Sequence, residues 1–180
     1  MQTMATGLDI RWGDRVVRPS AGARVLVLYA STGESTPLVA ARLAVGLRER
    51  GHRVDVSTCD EVVGLELYDA LVLGSEVVGR EWLPEADAFV RSNAGVLTGR
   101  PVWMFSVGSP SSRHGGLLSR NESRGLRDLE HLIGPQDTRL FTDAVERESL
   151  ELDGWAARIG ETLREGTSKA PPGFPAASPG

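Results

Sequence analysis

Six consecutive residues, Ser31, Thr32, Gly33, Glu34, Ser35 and Thr36, hold the densest set of potential ligand donors in this sequence. They stand between an apolar run ending at Ala30 and a helix-patterned segment that opens near Pro37. The first N–H groups of a helix have no intrahelical partner, and the aligned peptide dipoles favour an anion there. The hydroxyls of Ser31, Thr32, Ser35 and Thr36 add donors, and Gly33 lets backbone come close to a ligand. No Lys or Arg lies in the loop, so a phosphate would be held by neutral donors. That suits a cofactor monophosphate better than a triphosphate with magnesium. Neither G-x-x-x-x-G-K-[ST] nor G-x-G-x-x-G occurs. The same residue types also build ordinary strand-to-helix turns, so the loop alone leaves a phosphate site and a plain turn both open.

Other reactive residues are sparse. Cys59 is the only cysteine, which excludes an intrachain disulfide and a cysteine metal cluster. It reads as a small, half-buried residue at a strand end, with no basic neighbour to activate its thiol. No G-x-S-x-G elbow appears, so a serine hydrolase is poorly supported. A phosphoacceptor receiver domain needs an aspartate after its first strand and a late lysine. Here that strand ends Tyr29-Ala30-Ser31, and the only lysine is Lys169. His114, Arg80 and Arg113 read as solvated loop residues, Trp103 as core, and Trp82 as a helix-start residue packing on the core.

The elements that position the loop follow from periodicity. Residues 24–30 are a continuous apolar run after Arg24, as expected of a strand buried on both faces. A helix is predicted over residues 37–50, with Thr36 as N-cap, Pro37 first, Gly51 as the C′ residue, and Leu38, Ala41, Leu43 and Leu47 facing a sheet. Residues 52–58 alternate polar and apolar, the pattern of an edge strand. Residues 69–75 and 101–108 are apolar and central. A helix over 83–93 separates them, and 59–68 has room for a helical turn at most. A helix over 123–132, a strand over 138–142 and a helix over 149–164 complete the pattern. Five strands alternating with helices imply a mostly parallel sheet covered on both faces. The polar second strand belongs at an edge, which fits the order 2-1-3-4-5. In such a sheet ligands bind beyond the carboxyl ends of the strands, where loops 31–36, 75–82 and 106–116 converge.

The 180 residues fit one domain, assigned to 24–165, with a flexible tail at 1–23 and a disordered Pro/Ala/Gly-rich tail at 166–180. A net charge of −4 gives no general pull toward nucleic acid or an anionic membrane. No run approaches the ~20 apolar residues of a membrane span. Asp9, Arg11, Asp14 and Arg15 break any secretory apolar stretch, so a cytoplasmic location is expected.

The segments VLVLYASTGEST, DALVLGSEVVGREWLPEADAFV and RPVWMFSVGSP resemble, in order and spacing, the first, third and fourth strands and cofactor loops of the flavodoxin family. The similarity covers about residues 24–141. The branch it is most similar to is that of short flavodoxin-domain proteins like menaquinone-dependent protoporphyrinogen dehydrogenase. The resemblance implies a flavodoxin-like three-layer α/β sandwich with a five-stranded parallel sheet in order 2-1-3-4-5, and FMN as cofactor. It implies that Ser31, Thr32, Gly33, Ser35 and Thr36, with Glu34 in their midst, form the phosphate loop. It implies that the second loop (Ser75, Val77, Val78, Gly79) and the third (Ser106, Val107, Gly108, Ser109) flank the isoalloxazine ring. Three departures stand out. Glu34 replaces the glycine of the S-x-x-G-x-T pattern, Val78 stands where an aromatic residue is common, and the chain after Phe141 is short. The implied function is FMN-dependent redox chemistry, as electron transfer or as an oxidoreductase, with a partner protein or small molecule as electron donor or acceptor. The alternative is a cofactor-free domain of the same fold that acts through protein partners.

Overall fold

A computed structural model describes residues 11–12, 15–16, 22–79, 81–108, 124–142 and 148–168. The first of its central strands, β3 (Arg24–Ala30), explains its own composition. Val25 and Val27 enter one core, while Leu26 and Leu28 enter a second core on the opposite face. Alternate residues of β5 (Ala70–Val78) and β7 (Val102–Gly108) divide in the same way: Val72 and Phe105 on one side, Leu73 and Met104 on the other. A strand covered on both faces has no use for polar alternation.

β4 (Arg53–Thr58) alternates because it lies at the edge, where Val54 is buried and Arg53 and Asp55 are exposed. β8 (Asp137–Thr142) closes the other edge. The order β4-β3-β5-β7-β8 is parallel throughout, which is 2-1-3-4-5 in the numbering of the five long strands. A sixth strand was not expected. β6 (Glu81–Trp82) folds back antiparallel on β5, pairing Val77 with Trp82 and Val78 with Glu81.

α1 (Ser35–Arg48) and α5 (Ser149–Ser168) cover one face. α1 buries Thr36, Val39, Ala40, Leu43, Ala44 and Leu47, a stripe at helical spacing. Leu38 and Ala41, expected to face the sheet, are exposed instead. The helix starts two residues earlier than predicted, so the cap is Glu34 rather than Thr36, and Pro37 falls in the first turn rather than at its first position. The C-cap is Glu49, which places Gly51 (φ 87°) one residue beyond C′. The two helices approach closely where Gly46 meets Ala156, and a two-pronged Arg42–Asp153 pair links them. Phe141 and Trp155 pack with ring centroids 5.7 Å apart.

The other face is covered by α2 (Pro84–Ser92), α3 (Ala94–Leu97) and α4 (Arg124–Ile133). The β4–β5 crossover contains only the 3₁₀ turn Leu65–Leu67, as the sequence suggested. α5 runs to Ser168, three residues into the stretch assigned to the C-terminal tail, and 169–180 lie outside the described residues. Within the segment read as an N-terminal tail, β1 (Arg11–Trp12) pairs antiparallel with β2 (Arg15–Val16).

Candidate functional site

The strand register brings three loops side by side. Ala30 pairs with Ser75, and Ser75 pairs with Ser106, so β3 ends level with Ser75 and Ser106, and β5 and β7 run on three and two residues further, to Val78 and Gly108. β4 and β5 lie on opposite sides of β3, which makes this edge the point where the strand order reverses.

The loop after β3 is tightly wired at its start. The Ser31 hydroxyl donates to the Gly33 carbonyl at 2.8 Å and accepts from the Gly33 N–H at 3.1 Å. The Thr32 N–H and hydroxyl both donate to one oxygen of Glu76, at 2.9 and 2.8 Å. These Thr32 bonds hold the Glu76 carboxyl below the usual carboxylate range. Burial opposes them, and the Gly33 amide and Ser31 hydroxyl add smaller help. Glu34 is exposed and makes no side-chain cap bond, so its carboxylate is left to water.

Farther along, the loop changes character. Among the described residues, the amides and hydroxyls of Ser35 and Thr36 have no hydrogen-bond partner. Thr36 as a residue is only 1% exposed, but the buried side-chain polar atom left without a partner among the described residues is His52 Nδ1, not the Thr36 hydroxyl. Ser31, Ser35 and Thr36 line a small cavity of about 170 Å³, together with Glu76 and Val107. Unpaired donors around a closed-in polar hollow are what an anion requires.

The second and third loops divide into scaffold and rim. Ser75 is fully buried. Its hydroxyl donates to the Glu76 carbonyl at 2.8 Å and accepts from the Leu83 N–H at 3.0 Å, tying the β5–β6 hairpin to the start of α2. The Ser106 hydroxyl is likewise taken up, accepting from the Trp82 indole N–H at 2.8 Å. Trp82 is thus a buried core residue at a helix start, as expected, and not a wall of the cleft. Val77 is half-buried, Val78 is 58% exposed, and Gly79 (φ 60°) makes the hairpin's turn. Val107 and Gly108 end β7 beside them. Ser109, Arg80, Arg113 and His114 lie outside the described residues. Glu76 was missed as a site residue because a single acid near the end of an apolar strand gives no periodic signal. Its place directly after Ser75, level with the loop that follows β3, was the available clue.

Next to this cleft lies a second cavity of about 330 Å³, lined by Tyr29, Ser31, Thr58, Cys59, Asp60 and Glu85. Burial, reinforced by Glu85 and then Asp60, pushes the Cys59 thiol up to about 12, so it is no nucleophile. Among the described residues there is no metal-ligating group of three or more His, Cys, Asp or Glu side chains. No helix among them is long and apolar enough to cross a membrane.

Residues 26–146 match the family model of a flavodoxin domain. The chain belongs to the flavodoxin domain family. Solved structures with this fold include a flavodoxin from the domain Archaea, 16% identical, with a TM-score of 0.64 over 78% of this chain and 99% of that one. Oxidised flavodoxin 2 from Bacillus cereus is 22% identical, with a TM-score of 0.62 over the same shares. Rubredoxin oxygen:oxidoreductase from Desulfovibrio gigas, 16% identical, aligns with a TM-score of 0.64 over 81% of this chain. This flavodoxin domain spans only 37% of that enzyme's length. No curated protein sequence matches it. The unpartnered donors of this flavodoxin domain therefore lie at the helix start that follows its first long parallel strand.

Proposed function

We propose that this flavodoxin domain binds FMN and serves as a redox protein. The observation that carries the reading is the set of unpaired amides and hydroxyls at Ser35 and Thr36, opening on a polar hollow at the strand-order reversal. The donor chemistry fits a phosphate monoester, with neutral donors at a helix start and no Lys or Arg within residues 31–36 to call for a longer polyphosphate. Ser35 and Thr36 would hold the phosphate. Val77, Val78 and Gly79 from one loop, with Val107 and Gly108 from another, would border the ring and exclude water from it. When bound, FMN supplies reversible one- and two-electron chemistry, and the protein supplies placement and shielding. The chain's own part is to orient and shield, and no side chain is assigned as acid or base.

The finer reading is a cytoplasmic electron carrier or FMN-dependent oxidoreductase. It would exchange electrons with a partner protein or a small-molecule donor or acceptor. The likeness to the menaquinone-dependent protoporphyrinogen dehydrogenase branch rests on the order and spacing of the three loops.

The test is a titration of FMN into flavin-free protein, followed by flavin fluorescence. Saturable 1:1 quenching is expected. A Ser35→Ala, Thr36→Ala double variant removes two hydroxyl donors. A hydrogen bond to a charged group is worth roughly 1.5–3 kcal/mol, and about 1.4 kcal/mol is tenfold in affinity. FMN should therefore bind the variant at least about tenfold more weakly. Unquenched FMN at high micromolar protein would reject the reading. It would favour the second one, a cofactor-free domain acting through protein partners, which the Glu76 carboxylate on Thr32 supports.

A further inference from the structure

The phosphate loop already holds an anion, and the chain supplies it. Thr32 presents its N–H and hydroxyl to the same carboxylate oxygen of Glu76, at 2.9 and 2.8 Å. Glu76 also lines the hollow that the unpaired Ser35 and Thr36 donors face. A charged carboxylate on two donors of the loop leaves only part of the cradle for a second anion. It also places a like charge next to whatever enters, and at a few ångströms such repulsion outweighs a single neutral hydrogen bond.

We propose that Glu76 is a specificity-determining gate of this site: its carboxylate competes with a ligand phosphate for the Thr32 donors and must swing away before a phosphate monoester can seat fully. The inference rests on the FMN reading and sharpens it. The gate acts on the phosphate end alone, so the free nucleoside-type flavin, riboflavin, escapes it. The wild-type domain discriminates weakly between FMN and riboflavin, because the phosphate's hydrogen bonds are offset by displacing Glu76. While the site is empty, the same carboxylate satisfies Thr32 and keeps the loop in shape.

The experiment compares flavin-free wild type with Glu76→Gln and Glu76→Ala, in phosphate-free buffer, titrating FMN and riboflavin separately by fluorescence quenching. Removing the charge should tighten FMN binding at least about tenfold and leave riboflavin within about twofold. A wild-type measurement stands beside the variants in case they fold poorly. The amide resonance of ¹⁵N-labelled Thr32 should move on adding FMN, as it changes acceptor, and stay in place on adding riboflavin. Variants that bind FMN as wild type does, or more weakly, overturn the gate while leaving the FMN reading intact. A Thr32 resonance that moves equally with both flavins, or with neither, also overturns it. Failure of wild type and both variants to bind either flavin overturns the gate and the FMN reading together.

Discussion

Cys59 shows how far a residue's neighbours decide its chemistry. It sits just past the end of β4, on a cavity it shares with Asp60 and Glu85. An ordinary thiol value of 9.0 is pushed up to about 12, first by burial and then by those two carboxylates. Both causes penalise the thiolate, so the folded protein holds the proton more tightly than the unfolded chain. The stability this contributes is present below 9.0 and is lost as pH rises from there toward 12. At pH 8 about a tenth of an unfolded chain's thiols are ionised, and far fewer in the native state. Iodoacetamide at pH 8 should therefore alkylate native Cys59 at least about a hundredfold more slowly than in denaturant, as read by mass spectrometry. Equal rates would mean the cavity opens freely to water. The sequence made Cys59's inertness legible, since no basic residue adjoins it. Glu76 was not legible at the same scale, because its role depends on Thr32, 44 positions away in the chain.

Among the elements, the packing of β5 against β7 is the least forgiving. Gly74 pairs with Phe105, and a methyl group added at Gly74 would run into the Phe105 ring. That ring is fully buried in the core beneath α1 and α5 and has no space to retreat. Gly74→Ala should cost about 1–3 kcal/mol, seen as a lower urea midpoint with an unchanged slope. A neutral result would place slack between β5 and β7 at Phe105. Sequence patterns identified all five long parallel strands and the four longer helices, because each element's burial dictates its period. They failed where an element is too short to have one. β6 has two residues and α3 has four. Only Gly79, whose positive φ suits a tight hairpin turn, hinted at the first. The face of α1 differs from the expectation for another reason. Val39 and Ala40 stand four and three residues before Leu43, at helical spacing, and are buried with it and Leu47, whereas Leu38 and Ala41 are off that spacing and are exposed.

Over the whole molecule, stability is distributed unevenly, and topology says where. β3, β5 and β7 each have a strand on both sides and helices on both faces, whereas β4 pairs only with β3. The crossover from β4 to β5 has one 3₁₀ turn and no full helix. It is pinned mainly by Arg100, which donates to the carbonyls of Tyr68 and Glu66, and by Asp69, which accepts from the Arg24 N–H. These ties are few compared with the two cores that hold the central strands. Opening β4 exposes Val54 and a half-covered surface, but opening β5 exposes Leu71, Val72 and Leu73 and splits both cores. Local opening is cheapest where the least apolar surface is uncovered. Native-state hydrogen exchange should therefore find the sheet-bonded amides of Arg53–Thr58 exchanging at least about tenfold faster than those of Ala70–Ser75 under conditions of rapid reclosing. Thr58 leads into the loop that carries Cys59 and Asp60, so the same opening would widen the cavity beside the loop after β3 without disturbing Ser35 or Thr36. Matching protection in β4 and β5 would instead mean that β4 opens only when the whole domain unfolds, with the arginine-pinned crossover acting as firmly as a helix.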